Sequence, residues 1–401
     1  MAGIVIIGAG QAGASLAAKL RALGYAGDVT LVGAEPVAPY QRPPLSKGYL
    51  LGEMGLDRLM LRGPEFWDDQ KIALRLGIPV TAIDPAARRV TLGTGTLAYD
   101  QLALTTGATP RRLPPAIGGD LAGVYPVRTL ADVDAMAAEF RPGRRLLVIG
   151  GGYIGLEAAA VASKLGLSVT LVEAAPRILQ RVACAETAAH LRALHQAHGV
   201  RILEGRALAR LTGDGRVTGA ELADGETIPA DFVIAGIGID PETRLAAAAG
   251  LAIENGIRTD ALGRTSDPAI WAAGDCASFP HAGGRLRLES VGNAIDQAEA
   301  VAANMLGADE PYVPRPWFWS DQYDAKLQIA GLNTGFDRVV TRPGEGPAVS
   351  FWYYRGADLL AVDAISDPRA YMVGKRLIEA GRSPDPAQVA DPATDLKALM
   401  R

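Results

Sequence analysis

Two glycine-rich turns carry the clearest chemical signal in the sequence. Residues 8–13 read GAGQAG and residues 150–155 read GGGYIG, so each turn has glycine at its first, third and sixth positions. Glycine at these positions permits a tight turn, lets the backbone approach a pyrophosphate and lets a helix pack closely on a strand. The N-terminus of the following helix supplies free N–H groups and a partial positive charge for the phosphates. Each turn therefore predicts a dinucleotide site.

Acidic residues after these turns predict which coenzyme is bound. A carboxylate at the end of the second strand of such a unit binds the ribose of the dinucleotide. Glu173 has this position in the later unit, where it can accept both ribose hydroxyls and repel a 2′-phosphate, so we expect NADH there. In the first unit Gly33 occupies the equivalent position, and Glu35, two residues further on, is the candidate. Arg177 and Arg181 lie near Glu173 in sequence and could soften the discrimination against NADPH.

An internal repeat places both turns in the same structural context. Residues 4–35 and 146–175 each contain a short apolar run, the glycine-rich turn, an alanine-rich stretch and a second apolar run that ends in Thr-Leu-Val. This order is typical of a β-α-β unit with parallel strands and a right-handed crossover. Two dinucleotide sites in one chain suit a flavin dehydrogenase, which holds one nucleotide tightly and exchanges the other. We therefore expect FAD in the first unit and NADH in the second.

The remaining segments predict how the chain is divided. Composition changes from residue 311 onward, where three of the five tryptophans fall in 317–352 and residues 350–365 indicate a hairpin. Residues 384–393 are rich in proline, aspartate and alanine and predict a loose connection to the C-terminus. We predict an α/β fold with two Rossmann-like dinucleotide-binding domains and a C-terminal α+β domain. The predicted domains are an FAD-binding domain (1–115 and 242–315), an NADH-binding domain (116–241) and a C-terminal domain (316–401).

The composition excludes several other functional classes. The 401 residues include only two cysteines, Cys184 and Cys276, without CxxC spacing, so a disulfide scaffold, a Cys₄ metal or iron–sulfur site and a dithiol relay are excluded. A net charge of −4 argues against binding nucleic acid through a general basic field. We see no signal peptide and no apolar run of the ~20 residues that crossing a bilayer takes. The four histidines form no metal-ligand pattern. We expect a cytoplasmic protein without a bound metal.

Together, the motifs resemble the FAD-dependent ferredoxin reductases of bacterial oxygenase systems, of the putidaredoxin reductase and biphenyl dioxygenase reductase type. That family has a glutathione-reductase-like fold without the redox cysteines. The resemblance covers essentially the whole chain. It rests on the segments PYQRPPLSKGYL (39–50), TTGATPR (105–111), VIGGGYIGLE (148–157), VIAGIGIDP (233–241), TSDPAIWAAGDCA (265–277) and PWFWSDQY (316–323).

The resemblance implies three residues at the site of hydride transfer. Lys47 resembles the lysine that lies by the flavin ring and pairs with a carboxylate, and Glu157 resembles that carboxylate, near the nicotinamide. Trp319 resembles the aromatic residue that covers part of the isoalloxazine. The alternative for Glu157 is a structural glutamate at a helix start that is satisfied by the helix dipole. The alternative for Trp319 is a tryptophan of the hydrophobic core.

The resemblance also implies contacts along both nucleotides. Asp275 resembles the residue that binds the ribityl chain, Val80 the position whose backbone reads the adenine, and Arg128 a residue that faces the adenosine diphosphate half. The residues expected at FAD are Gly8, Gly10, Ala12, Gly13, Ala34, Glu35, Arg42, Lys47, Val80, Thr106, Gly107, Arg128, Asp275, Val291 and Trp319. The residues expected at NADH are Gly150, Gly152, Tyr153, Ile154, Gly155, Glu157, Glu173 and Gly238.

The function implied is an electron-transfer reaction. NADH reduces FAD by hydride transfer, and single electrons then pass to a [2Fe–2S] ferredoxin that supplies an oxygenase such as a haem-thiolate hydroxylase. The same scaffold could serve a rubredoxin reductase or an NADH oxidase, or a redox-sensing flavoprotein. Such ferredoxins are acidic, so a net-negative reductase needs a locally basic docking patch, for which Arg62 and Lys326 are the candidates. We expect a monomer or weak dimer, and neither a nucleic acid nor a membrane as partner.

Overall fold

The computed structural model describes residues 3–93 and 95–400, which divide into two compact units. Unit 1 consists of Met1–Gln41, Leu56–Thr109 and Ile239–Pro316, and unit 2 of Arg42–Gly55, Pro110–Gly238 and Trp317–Arg401. Within the described residues, no helix has both the length and the apolar character that spanning a membrane requires.

The described residues form 26 strands and ten α-helices, and strands alternate with helices mainly around the two glycine-rich turns. The strands are β1 (Ile4–Ile7), β2 (Val29–Val32), β3 (Ile72–Arg75), β4 (Val80–Asp84), β5 (Arg89–Leu92), β6 (Gly95–Ala98), β7 (Gln101–Leu104), β8 (Ala108–Pro110), β9 (Val124–Tyr125), β10 (Arg145–Ile149), β11 (Ser168–Glu173), β12 (Arg201–Glu204), β13 (Leu208–Asp214), β14 (Arg216–Leu222), β15 (Thr227–Pro229), β16 (Phe232–Ala235), β17 (Ile239–Pro241), β18 (Ile257–Arg258), β19 (Ile270–Ala272), β20 (Ala277–His281), β21 (Gly284–Leu286), β22 (Trp317–Gln322), β23 (Ala325–Gly331), β24 (Arg338–Pro343), β25 (Val349–Arg355) and β26 (Asp358–Ile365). The helices are α1 (Gln11–Ala22), α2 (Leu56–Leu59), α3 (Pro64–Asp69), α4 (Leu130–Ala137), α5 (Tyr153–Lys164), α6 (Ala185–Ala197), α7 (Arg244–Ala248), α8 (Val291–Met305), α9 (Pro368–Glu379) and α10 (Pro386–Ala390), with 3₁₀ turns at Pro43–Ser46, Pro115–Ile117 and Ala398–Met400.

Unit 1 is built on a parallel sheet in the order β19-β7-β1-β2-β3. Successive residues of β1 point to opposite faces, so Ile4 and Ile6 pack in one core and Val5 and Ile7 in another. The first core includes side chains of α1 and α8, and the second includes side chains of the small antiparallel sheet β4-β5-β6. A parallel strand covered on both faces is apolar throughout, which explains the sequence IVII.

Unit 2 repeats this arrangement and adds an antiparallel sheet. Its parallel sheet has the order β12-β11-β10-β16-β9, and the antiparallel sheet has the order β22-β23-β26-β25-β24. The antiparallel sheet carries α9 on one face, where Trp352 and Val362 pack with Val373 and Leu377. The short 3₁₀ turn Pro43–Ser46 also belongs to this unit and packs on α5 and α4.

The C-terminal segment is ordered by one buried arginine, and the predicted loose connection over 384–393 is wrong. Arg342, on β24, is only 7% exposed. Its guanidinium donates to the backbone carbonyls of Val389, Asp391, Pro392 and Thr394 at 2.7–3.2 Å. A guanidinium has five N–H donors and must find acceptors when buried, so the segment wraps around it. Composition alone could not indicate this partner because Arg342 lies more than 40 residues earlier.

Replacing Arg342 with methionine should loosen this segment. The change removes four charge-assisted hydrogen bonds, so we expect the C-terminal domain to lose about 2–3 kcal/mol of stability. Urea unfolding and limited proteolysis of the C-terminal segment measure the effect. Arg338→Met, on the exposed start of the same strand, is the control. Equal losses of stability in Arg342→Met and Arg338→Met would contradict the role given to Arg342.

Candidate active site

The first glycine-rich turn connects β1 to α1 in unit 1. Gly8 has φ +115°, and a Cβ added there would lie 2.1 Å from the Thr105 carbonyl oxygen. A Cβ at Gly13 would lie 1.9 Å from the Gly8 carbonyl oxygen. A Cβ at Gly10, by contrast, would meet no described atom within 4 Å. Two glycines are therefore required by backbone packing, and the third leaves open space at the N-terminus of α1, where a phosphate binds favourably.

The second turn, between β10 and α5 in unit 2, has the same stereochemistry. Gly150 has φ +106°, and a Cβ there would lie 2.4 Å from the Gly236 carbonyl oxygen. A Cβ at Gly155 would lie 2.1 Å from the carbonyl oxygen of Gly150, whereas one at Gly152 would meet no described atom within 4 Å. Both turns thus have the cradle that a dinucleotide pyrophosphate fits.

Glu173 is fixed beside the second turn by backbone hydrogen bonds. One carboxylate oxygen accepts from the Gly151 N–H and the other from the Ala175 N–H, both at 2.7 Å. A carboxylate oxygen has further lone pairs, so both can still accept hydroxyls. Arg177 donates to the Ala183 carbonyl at 2.7 Å, which engages one guanidinium nitrogen with backbone close to Glu173.

Several residues expected at FAD lie along one edge of the sheet in unit 1. They follow the carboxyl ends of four adjacent strands: Gly8, Gly10, Ala12 and Gly13 after β1, Ala34 and Glu35 after β2, Thr106 and Gly107 after β7, and Asp275 after β19. This edge is where open α/β sheets bind ligands. Val80 begins β4, just after Ile78, whose N–H donates to the Gly33 carbonyl beyond the end of β2. Val291 begins α8.

Two further residues brace this edge and were missed from the sequence. Tyr40 donates to the Glu35 carboxylate at 2.7 Å. Gln297, on α8, accepts from the Gly274 N–H at 2.9 Å and so holds the turn that carries Asp275. Tyr40 lies inside the motif at 39–50, which is a usable signal, whereas Gln297 lies outside all six segments.

In unit 2, Lys47 and Glu157 form a buried ion pair. Lys47 follows the 3₁₀ turn Pro43–Ser46, and its Nζ lies 3.0 Å from Glu157 Oε1 and 3.3 Å from Asp321 Oδ2. Glu157, on α5, is only 4% exposed. Ser46 donates to its Oε2 at 3.0 Å and Ser320 donates to its Oε1 at 2.7 Å. Ser46, Ser320 and Asp321 were missed, although each stands within two residues of Lys47 in PPLSK or of Trp319 in WFWSDQ.

The surroundings of Glu157 perturb its carboxylate in opposite directions. Burial raises the pKa of Glu157 above its usual range, while the Lys47 ammonium and the hydroxyls of Ser320 and Ser46 act in the opposite direction. An apolar pair would fill the same space at lower desolvation cost. A buried, perturbed carboxylate with a specific charge partner is therefore a functional-site candidate. The alternative of a helix-start glutamate satisfied by its own dipole does not describe Glu157, since its partners come from other segments.

Aromatic side chains of β22 border this pair. The Trp319 ring centroid lies 5.8 Å from Lys47 Nζ and 5.4 Å from the Trp317 ring, with the two indoles nearly parallel at 20°. Phe318, on the opposite face of the strand, contacts Tyr153 at the start of α5, with 4.8 Å between the ring centroids. Trp319 is therefore half-buried beside a cation rather than part of the hydrophobic core.

Four further predicted residues, Arg42, Arg128, Ile154 and Gly238, also belong to unit 2. Arg42 donates to the Arg128 carbonyl at 2.7 Å, so the structure brings these two together. Ile154 is 43% exposed at the start of α5. Gly238 has φ +105°, and a Cβ added there would face the side chains of Arg111 and Arg181, both at 3.8 Å.

The two predicted docking residues are both exposed. Arg62, in unit 1, lies over the Phe66 ring at 5.3 Å from its centroid. Lys326, in unit 2, is on β23, where it is paired with Asp321 of the antiparallel strand β22.

Comparison with known proteins identifies the family. Residues 2–298 match the family model described as pyridine nucleotide-disulphide oxidoreductase, and residues 317–400 match the reductase C-terminal model. A ferredoxin–NAD(P)⁺ reductase from a Sphingomonas species is 45% identical over 99% of this chain and 97% of its own length. Putidaredoxin reductase from Pseudomonas putida is 41% identical, covering 99% of this chain and 96% of its own length.

The solved structures agree with these relatives. The covalent putidaredoxin reductase–putidaredoxin complex matches 100% of this chain and 98% of the solved chain, with a TM-score of 0.95 and 40% identity. The chain therefore belongs to the pyridine nucleotide–disulphide oxidoreductase family, in the branch of ferredoxin–NAD(P)⁺ reductases. It is an oxidoreductase of the class that uses FAD and NAD(P)H. The predicted resemblance, α/β fold class and cofactor types are confirmed.

Exchanging single glycines of the first turn should separate folding from cofactor binding. Gly10→Ala points a methyl into open space, so we expect a normally folded protein that purifies with little FAD. Gly13→Ala forces a methyl against the Gly8 carbonyl, so we expect a loss of more than about 2 kcal/mol in stability. Thermal unfolding and the flavin absorbance per chain measure the two effects. Full FAD content in Gly10→Ala would contradict the role given to that position.

Proposed function

We propose that this chain oxidises NADH, passes the electrons to FAD and delivers them singly to a [2Fe–2S] ferredoxin that supplies an oxygenase, such as a haem-thiolate hydroxylase. The observation that carries the proposal is the buried Lys47–Glu157 pair beside Trp319, in a chain with two dinucleotide turns. The acceptor is supported by the relatives, which are named as a ferredoxin–NAD(P)⁺ reductase and a putidaredoxin reductase and each match 99% of this chain.

The proposed roles follow from the contacts of each side chain. FAD, when bound, supplies the conversion of a two-electron donor into one-electron steps. Lys47 has three N–H donors, and among the described residues Glu157 and Asp321 engage two of them, so one remains for an acceptor on a ring. Glu157 holds Lys47 in place, and Trp319 covers the ammonium and excludes water from it.

The remaining nucleotide contacts are proposed by the same reasoning. We assign FAD to the edge of unit 1 that Gly10, Glu35 and Asp275 share, and NADH to the turn of unit 2 with Gly152 and Glu173. The segments 1–115 with 242–315, 116–241 and 316–401 remain our division into FAD-binding, NADH-binding and C-terminal domains.

The proposed preference for NADH rests on Glu173. Its carboxylate is held beside the turn by two backbone N–H groups and is set to accept ribose hydroxyls. A 2′-phosphate would place a second negative charge against it. Arg177 donates to backbone carbonyls, so it is less free to neutralise that charge.

We also propose a reducing, cytoplasmic location and a monomer or weak dimer. Both cysteines are buried, and neither forms a disulfide. Buried thiols of this kind suit a compartment that keeps thiols reduced.

Coenzyme choice tests the role given to Glu173. We expect NADH to exceed NADPH by at least ~10²-fold in kcat/KM, or ~2.7 kcal/mol. Glu173→Ala should shrink the ratio mainly by weakening use of NADH, because the ribose contacts are lost. Steady-state kinetics with both coenzymes measure the ratio. Glu221→Gln, which alters a half-buried glutamate paired with Arg210 in the same unit, is the control and should leave the ratio unchanged. Equal use of both coenzymes by the unaltered protein would defeat the assignment.

Reduction of cytochrome c, measured with and without a [2Fe–2S] ferredoxin, tests the acceptor. We expect strong dependence on the ferredoxin, and expect Arg62→Glu or Lys326→Glu to raise its KM and flatten its salt dependence, because steering weakens. Flavin reduction by NADH should stay unchanged. Arg89→Glu, at another exposed arginine, controls for net charge. Turnover indifferent to both reversals at low ionic strength, where screening is weakest, would place the docking surface elsewhere.

A further inference from the structure

A chain of hydrogen bonds leads away from Glu157 into the interior of unit 2. Ser320 Oγ lies 2.7 Å from Glu157 Oε1, and Gln322 Nε2 lies 3.1 Å from Ser320 Oγ. Gln322 Oε1 lies 2.8 Å from His195 Nε2, and Tyr323 Oη lies 3.2 Å from His195 Nδ1. The serine, the glutamine and the histidine are buried, with exposures of 1% or less. The Glu157 carboxylate is thus connected to His195 on α6 by three hydrogen bonds, and Tyr323 adds a fourth on the far side of the imidazole.

The carboxylate fixes the direction of every bond in this chain. An ionised Glu157 has no hydrogen, so Ser320 must donate to it and must accept from the Gln322 amide nitrogen. The amide oxygen of Gln322 then faces His195 Nε2, which must carry a hydrogen. In a neutral imidazole the other nitrogen is an acceptor, and it accepts from the Tyr323 hydroxyl. All donors therefore point towards Glu157.

The neutral state of His195 is consistent with its surroundings. Burial lowers the pKa of His195 to about 4, the nearby His198 acts in the same direction, and the hydrogen bond to Gln322 opposes them. At neutral pH the ring is uncharged, as the chain of bonds requires. Among the described residues, the charged groups paired at the Glu157 end of this chain of bonds are Lys47, next to Glu157, and Asp321, next to Lys47.

A purely structural contact does not need this arrangement. Burying an imidazole and an amide costs free energy unless both are hydrogen-bonded, and apolar side chains would join α6 to β22 without that cost. A relay of protons is also disfavoured, since an amide would have to pass through an unstable tautomer. Aligned donors, by contrast, polarise one another and strengthen the last bond to a charged acceptor.

We propose that His195 is a positioning residue that, through Gln322 and Ser320, directs hydrogen-bond donors at Glu157 and holds its carboxylate ionised and turned to Lys47. This inference rests on the proposed role of the Lys47–Glu157 pair in oxidation of NADH. His195 does not touch the reacting groups. It acts by fixing the orientation of the Gln322 amide.

The test compares His195→Phe with His195→Gln in the FAD-loaded protein. Infrared difference spectra against pH follow the carboxylic acid band of Glu157, assigned by its loss in Glu157→Gln. We expect His195→Phe to raise the pKa of Glu157 by about one unit. It should also slow flavin reduction by NADH roughly three- to tenfold at unchanged KM. His195→Gln keeps an N–H near the position of Nε2 and should restore both values.

His190→Phe is the matched control, because it changes the same residue type on the same helix outside the chain of bonds. It should leave the pKa of Glu157 unchanged. If His195→Phe does not fold, as judged by thermal unfolding, Gln322→Met provides the same comparison.

The results separate this inference from the proposed function. An unchanged pKa of Glu157 in a folded His195→Phe or Gln322→Met protein would overturn the positioning role. A raised pKa supports it even if Glu157→Gln reduces the flavin at the normal rate. In that case only the catalytic role of the ion pair would fail.

Discussion

The burial of one carboxylate beside one ammonium is the interaction on which the arrangement of unit 2 depends. Removing a charge from water costs several kcal/mol, so Glu157 needs partners on all its acceptor positions. Lys47 and Ser46 come from a short 3₁₀ turn near the N-terminus, and Ser320 comes from β22 of the C-terminal sheet. Segments more than 100 residues apart must therefore dock on α5 to satisfy a single side chain. This requirement explains why Arg42–Gly55 belongs to unit 2 although the chain on both sides belongs to unit 1.

The same requirement extends to residues that touch no nucleotide. Ser320 donates to Glu157 and accepts from the Gln322 amide nitrogen, and the Gln322 amide oxygen faces His195 Nε2. Strand β22 presents Trp319 to Lys47 on one face and Ser320 to Glu157 on the other, because side chains of a strand alternate. The buried polar atoms that contact the Glu157 carboxylate are thus connected to those that join α6 to β22.

The glycines of both turns fall into the same two groups. At Gly8, Gly13, Gly150 and Gly155 a side chain would collide with backbone, so these residues are required by the fold. At Gly10 and Gly152 a Cβ would meet no described atom within 4 Å, so the packing of the described residues does not require glycine at these two positions. The sequence presents the same pattern twice because the same β-α-β geometry is used twice.

The local elements could be predicted from the sequence because they depend on short-range patterns. The apolar runs, the glycine spacing and the repeated Thr-Leu-Val predict the β-α-β units, and the motif around PPLSK indicates Lys47. Partners supplied by distant segments could not be predicted in this way. Ser46 and Ser320 have no distinguishing local pattern, and only the fold brings them to Glu157, with His195 joined to Ser320 through Gln322. Arg342 likewise gives no local sign that it contacts residues 389–394. Sequence spacing determines which backbone turns form, whereas only the tertiary structure decides which distant donors satisfy a charge once it is buried.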